Sequence, residues 1–425
     1  MAPDDVRAFV ALGSRARRPS CEPYRHLAGA RATVGAEMFA DRSVTSHTML
    51  AVEDPVVERR IGPITIGLLA VRVAVVVVTV QIGSHRPLTD DLSRFHEIAV
   101  APGMPYRTFP VEYMPGEVLF VDTVGTADPA ALAMRVAIVA FLADIATWAA
   151  VRSGWGSRAA ERYLWMGAPL LVFIYTRFDL VPVALAAWGG ALVVRQAQRA
   201  GGLSLATAVL AKVWPVVILP ALIVVRARRA LVWTIVSTLV GFLAWVAYAG
   251  VADVWDVLTF RHAAGWGVES LVGTVTWIVT DGPIWLEAGA PRIGSVPPWS
   301  TAGLTIALMV LLVLIWTTAD RRRRGAFGAA AVAAVGALLV CSPLISLQYA
   351  AWLLPWGAVA WIDGDRSVAT SVLGVEILTA ALFMVYDPDR AGLAQVLLLA
   401  RNALLVALPL IWLLPQRVHA GAAEP

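Results

Sequence analysis

Charge is what this chain has least of. Only 15% of its 425 residues are Asp, Glu, Lys or Arg, against 59% hydrophobic, and mean hydropathy is +0.71. That balance excludes an ordinary soluble globular domain and sets the class as a polytopic α-helical membrane protein. Lysine is almost missing: Lys212 is the only one, so the formal net charge of +4 comes almost wholly from arginine. Cysteine is scarce too. Cys21 and Cys341 lie far apart in the chain and imply neither a disulfide framework nor a metal site. Walker loops, dinucleotide-type glycine motifs and zinc-ligand spacings are all missing. ATP-driven transport and soluble nucleotide-sugar chemistry therefore lack their usual apparatus, and nothing points to nucleic acid. No apolar run precedes Ile61, so no cleavable signal peptide is expected.

What is present is a series of apolar runs from about residue 61 to about residue 414. Several are too short for a perpendicular crossing of about 20 residues, so broken or paired helices are expected. Residues 1–58 are Arg-rich and weakly periodic and read as a disordered cytoplasmic tail, with Met49 as an alternative start. Residues 59–415 read as the membrane domain and 416–425 as a cytoplasmic C-terminal tail.

The arginines orient the runs. Arg59 and Arg60 precede the first, and Arg152, Arg158 and Arg162 follow the second. Arg195, Arg199, Arg226, Arg228, Arg229, Arg321 to Arg324 and Arg366 mark later ends. All can be cytoplasmic, as the positive-inside rule asks, on one condition: the 203–225 run must enter and leave on the same side. Pro215 breaks a helix and Lys212 resists the hydrocarbon, so this run is read as a hairpin. About twelve membrane segments result. The loop 84–128, the corner 176–179, the long loop 251–300 and the corner 342–348 then share the extracytoplasmic face.

The candidate chemistry lies in those four places. Asp90 and Asp91 follow the first span and open the amphipathic stretch LSRFHEIA. Either can cap a helix, and either can serve as general base toward a sugar hydroxyl. Glu97 reads as solvated. PYRTFPVEYMPG, residues 105–116, offers Glu112 for a hydroxyl and Tyr106, Phe109 and Tyr113 for stacking or packing. Arg177 and Asp179 flank a corner between apolar runs, where charges are functional candidates or a mutual salt bridge. Arginine suits a phosphate through its fork of donors, and Lys212 either snorkels or binds a phosphate. FRHAAGWGVESL places His262 and Glu269 in the long loop, and SPLISLQYAAWLLPW places Gln348 and Tyr349 at the last corner.

In this order, D-x3-aromatic, G-x-PY, VEYxPG, RFDLVPVALAA, AKVWPVVILP, GWGVESL and SP…QYAAWLLPW resemble bacterial glycosyltransferase family 87, from about residue 61 to residue 414. These are GT-C-type membrane mannosyltransferases using polyprenyl-phosphate mannose. The resemblance implies an all-α, GT-C-like bundle in the cell membrane with its site outside the cytoplasm. It implies transfer of a hexose, mannose above all, from a polyprenyl-phosphate donor to a glycolipid or glycan hydroxyl, with no cofactor and no metal. Asp91, with Phe95 four residues on, would be the catalytic base and Asp90 the fallback. Arg177, Lys212 and His262 would face the donor phosphate; Glu112, Glu269 and Gln348 would line the sugar or acceptor cleft. Tyr113 and Asp179 join the substrate-binding set. Met114 stands where the family often has Pro, and Ala264 where an Arg often precedes the Gly-Trp pair, leaving Arg261 or His262 as replacements there. A flippase or transporter of a lipid-linked sugar is the competing reading, because broken helices with buried charges suit it equally.

Overall fold

The computed structural model describes residues 61–83, 90–259, 264–287, 290–385 and 391–414. The expected tails, 1–58 and 416–425, lie outside the described residues. Within them the fold is all-α, and six helices are long and apolar enough to cross a membrane. These are α1 (Pro63–Gly83), α4 (Pro129–Trp155), α9 (Arg228–Ala249), α12 (Pro298–Arg322), α15 (Arg366–Val385) and α16 (Ala391–Leu413). Between α1 and α4 lie two short helices, α2 (Asp90–Val100) and α3 (Pro115–Val124). The remaining legs are α5 (Ser157–Gly167), α6 (Leu180–Val194), α7 (Gln198–Ala211), α8 (Ala221–Val224), α10 (Val251–Leu258), α11 (Leu271–Thr280), α13 (Ala329–Cys341) and α14 (Leu354–Ile362). Prolines open α3, α4, α12 and α14, where a missing N–H costs nothing.

The candidate spans differ in how much they bury. The apolar stretches of α1, α9 and α12 are only 17% buried, and Val73, Val77, Val240 and Met309 all stand exposed. Flanks so apolar and so bare are matched to acyl chains rather than water. The core forms around α13, whose run of alanines is almost wholly buried, with α16, α12 and α14 against it. Small residues there let backbones approach, as membrane packing favours.

The run 203–225 is broken where Lys212 and Pro215 stand. α7 stops because Lys212 takes an extended conformation, and a 3-10 turn, Trp214–Ile218, follows with Pro215 in its first turn. The chain then descends through α8. Residues from both ends, Arg199 and Arg229 among them, line one cavity. The two turns at that end share one build. Ala197 N–H donates to Leu192 C=O and Ala227 N–H to Leu222 C=O, each at 2.8 Å. Gln196 (φ 65°) and Arg226 (φ 57°) both occupy the left-handed region, which glycine fills most cheaply in this helix-ending motif.

The described residues of the long loop 251–300 hold regular structure. Besides α10 and α11 it holds a small antiparallel sheet of β1 (Trp266–Gly267), β2 (Trp285–Glu287) and β3 (Ala290–Ile293), in the order β1-β3-β2. Gly267 N–H donates to Pro343 C=O at 2.9 Å, which docks this sheet on the 342–348 corner.

Candidate functional site

The antiparallel pair α6 and α7 places the centre of the site. Asp179 sits immediately before α6 and Lys212 immediately after α7, so the two return to the same end. Lys212 Nζ reaches both oxygens of Asp179, at 3.1 and 3.2 Å. Trp352 Nε1 donates to Asp179 Oδ1 at 2.7 Å. Asp179 is 1% exposed, so these charge-assisted bonds satisfy a carboxylate that water does not reach. Trp352 lies in the 3-10 segment Leu347–Leu353. It stacks between Tyr349 (centroids 4.1 Å apart) and Trp214 (5.3 Å), and Lys212 Nζ lies 5.2 Å from the Tyr349 ring centroid. The aromatic stack holds the lysine by a cation–π contact as well as by its ion pair.

A second pair stands beside the first. Arg177 Nη1 is 3.0 Å from Asp91 Oδ2, and Gln348 Nε2 donates to the same oxygen at 3.2 Å. α2 begins at Asp90, so Asp91 lies inside its first turn. Its carboxylate points to Arg177 and Gln348 and caps no backbone N–H among the described residues. Phe95, one turn on, is fully buried and packs edge-on against Tyr113 (5.6 Å) and Phe120 (6.0 Å), which anchors α2 over the site. Asp91 keeps 26% of its side chain exposed; it is the accessible acid of the set.

Glu117 completes the group, and sequence reasoning passed it over. It is 4% exposed and within electrostatic reach of Lys212, Asp179, Asp91 and Glu112. Burial pushes its carboxyl up to about 8; Lys212 opposes that shift, and the three neighbouring acids add to it. Gly116 makes the position. A Cβ there would lie 2.6 Å from the Ala211 Cα, so only glycine lets α3 approach α7 closely enough to bring Glu117 to Lys212. The Pro-Gly-Glu run before an apolar stretch was the available signal, and it reads equally as an ordinary helix start.

The other expected residues divide. Glu112 is near the group but engaged: Arg94 Nε and Nη2 donate to its two oxygens at 2.8 Å each, and Arg94 also holds the exposed Glu97 at 2.9 Å. The Tyr113 carbonyl accepts from Tyr106 Oη at 2.8 Å. Burial, then the Asp91 charge, pushes the Tyr113 phenol up. Glu269 is held by α16, with Arg401 Nη1 3.6 Å from its carboxylate and Asn402 Nδ2 donating to its carbonyl at 3.3 Å. His262, Arg261 and the Asp90 side chain lie outside the described residues. No group of three or more His, Cys, Asp or Glu among the described residues is placed to hold a metal ion.

No family model matches this chain, and no curated protein is found similar to it. The chemistry rests on the geometry alone: an accessible carboxylate, two cations, a bound amide and a buried acid, drawn from five parts of the chain to one end of the bundle.

Proposed function

We propose that this chain is a membrane glycosyltransferase of the GT-C type, similar to family 87, which transfers a hexose from a polyprenyl-phosphate donor to a hydroxyl of a glycolipid or glycan. The observation that carries the reading is the pairing of Asp91 with Arg177 beside Lys212. A base and two phosphate-binding cations are what a single displacement at a sugar phosphate needs. The acceptor oxygen attacks the anomeric carbon, the bond from that carbon to the phosphate oxygen breaks, and Asp91 takes the acceptor proton. Negative charge grows on the leaving lipid phosphate, where Lys212 and Arg177 stabilise it. Gln348 orients Asp91. Glu117, neutral below about 8, adds a hydrogen-bond donor without a competing charge. Mannose as the sugar, Glu112, Tyr113, Asp179 and Glu269 as lining groups, and His262 as a further phosphate ligand belong to the same proposal, with Asp90 in reserve as base.

The same reading sets the membrane topology. The long helices together with the legs 157–176, α6, α7, 214–224, α13 and 347–362 make about twelve crossings. The Asp91 end is then extracytoplasmic and the arginine-rich end cytoplasmic. Contacts between chain segments support this arrangement: Arg195 donates to Ser153 Oγ at 2.8 Å, Arg162 lies 4.7 Å over Trp361, and Arg322 donates to Trp412 C=O at 2.7 Å.

The test is incubation of the purified protein with labelled polyprenyl-phosphate mannose and a panel of acceptors. Labelled product is the expected result. Movement of labelled lipid across liposomes without transfer would replace the enzyme by a flippase.

A further inference from the structure

The opposite end of the α6–α7 pair carries a second charged feature that the transfer reaction does not use. α6 has 15 residues and so puts its far turn about 22 Å from Asp179. Here a cavity of about 910 Å³ opens between the two like-built turns. Arg199, Arg226, Arg228 and Arg229 surround it, with Trp233 and Leu203 as apolar wall. All four arginines are exposed, and none has a carboxylate within 4.0 Å among the described residues. Its lining contains no acid; Asp320 lines a neighbouring cavity of about 580 Å³ with Arg226 and Arg228. Arg199 is held in place by Trp233, its guanidinium 4.4 Å from the ring centroid. Arg226 keeps a long charged side chain at a left-handed φ of 57°, a strained conformation where glycine is the usual choice.

We infer that this cavity binds the phosphate headgroup of an anionic phospholipid. Four cations in one concave site with no acid in its lining call for an anion, and guanidinium forks match phosphate oxygens. The apolar wall says the anion belongs to an amphiphile. α9 begins at Arg228 and is only 17% buried over its apolar window, so its flank below the cavity faces acyl chains. A headgroup on the arginines therefore continues into tails along Leu203, Trp233 and α9, as basic pockets between membrane helices do.

The experiment adds dioleoylphosphatidylglycerol or dioleoylphosphatidylcholine to the full chain in detergent and follows thermal unfolding. The anionic lipid should raise the unfolding temperature more than the zwitterionic one. Arg199→Gln with Arg229→Gln should remove that excess and weaken apparent lipid affinity by about fivefold per arginine. Arg321→Gln with Arg323→Gln, exposed at the same end but outside the cavity, should keep it. An equal excess in the cavity pair and wild type overturns the site. A full shift from glycerol 3-phosphate or inorganic phosphate overturns the lipid assignment. If the cavity pair fails to fold, quenching by brominated phosphatidylglycerol decides. Wild type should lose more fluorescence to it than to brominated phosphatidylcholine, and Trp233→Phe should abolish the difference; an unchanged difference overturns the proposal.

Discussion

Of the buried charge sets in this bundle, two are built for opposite purposes. In the first, Arg72 of α1 pairs with Asp144 of α4 at 2.9 Å, with side-chain exposures of 1% and 5%. Tyr163 and Tyr175 donate to Asp144 at 2.6 and 2.8 Å, and Arg72 donates to Leu164 C=O at 2.9 Å. Every strong donor has an acceptor, and one positive charge meets one negative. In the second set, at Asp91, Glu117, Arg177, Asp179 and Lys212, acids outnumber cations, one acid is held up near 8, and Asp91 is a quarter open. A saturated network fixes helices; an accessible one that also holds a neutral buried acid is ready to take a ligand. This is also why the Arg72–Asp144 pair lends little support to a transporter: it has no spare donor capacity directed at a passing solute.

Breaking each set should therefore fail in a different way. The largest effect falls on Asp144. Asp144→Ala strands Arg72 in the bundle and should cost about 3–5 kcal/mol of stability, read as loss of monodisperse protein in detergent; Asp91→Ala should leave that yield nearly unchanged. Equal losses would erase the distinction. Next is Asp91→Asn, which should lower transfer by about 100-fold or more while donor binding and unfolding temperature stay near wild type. Normal turnover would move the base to Asp90.

Lys212→Met has a mixed outcome, because it also leaves Asp179 buried without its cation. Transfer in a single turnover should fall by about tenfold or more and stability should fall with it. Adding Asp179→Asn should restore stability but not transfer, whereas recovery of both would make Lys212 a structural partner only. Lys212→Arg should recover part of the activity, since a planar fork does not occupy the place of a compact ammonium.

The smallest effect concerns Glu117. Its carboxyl is raised from 4.5 to about 8 in the folded chain, so folding favours the protonated form. Stability is then greatest at low pH, declines as pH rises from about 4.5 towards 8, and levels off above. Glu117→Gln removes that decline: it should match wild type near pH 5 and unfold at a higher temperature than wild type near pH 9. Parallel profiles would mean that Glu117 is not neutral in the folded chain.

Much of this architecture was legible in the sequence because it follows from short-range rules. The helical class, the break at Lys212 and Pro215 and the gathering of arginines at one end all come from hydropathy, proline and charge at known positions. So did the meeting of Asp91, Arg177, Lys212 and Gln348 at one end. Which acid pairs with which cation was not legible, since Gln348 meets Asp91 across 257 positions. Glu117 escaped because its burial depends on Gly116 touching Ala211, a contact with no local signature. Glu269 carried a plausible motif, and its partner Arg401 lies far along the chain in α16. Arg72 and Asp144 did have a signal: each is a charge inside an otherwise apolar run, which marks a position worth explaining.

The α7 hairpin also bears on how this protein is made. A lone lysine at the break between two short apolar legs is disfavoured when those legs partition into the bilayer by themselves. Asp179, two helices earlier at the start of α6, is the charge that cancels it. The legs between Asp179 and Lys212 should thus insert together rather than one after the other, because the ion pair that organises the site also cancels these two charges within the bilayer.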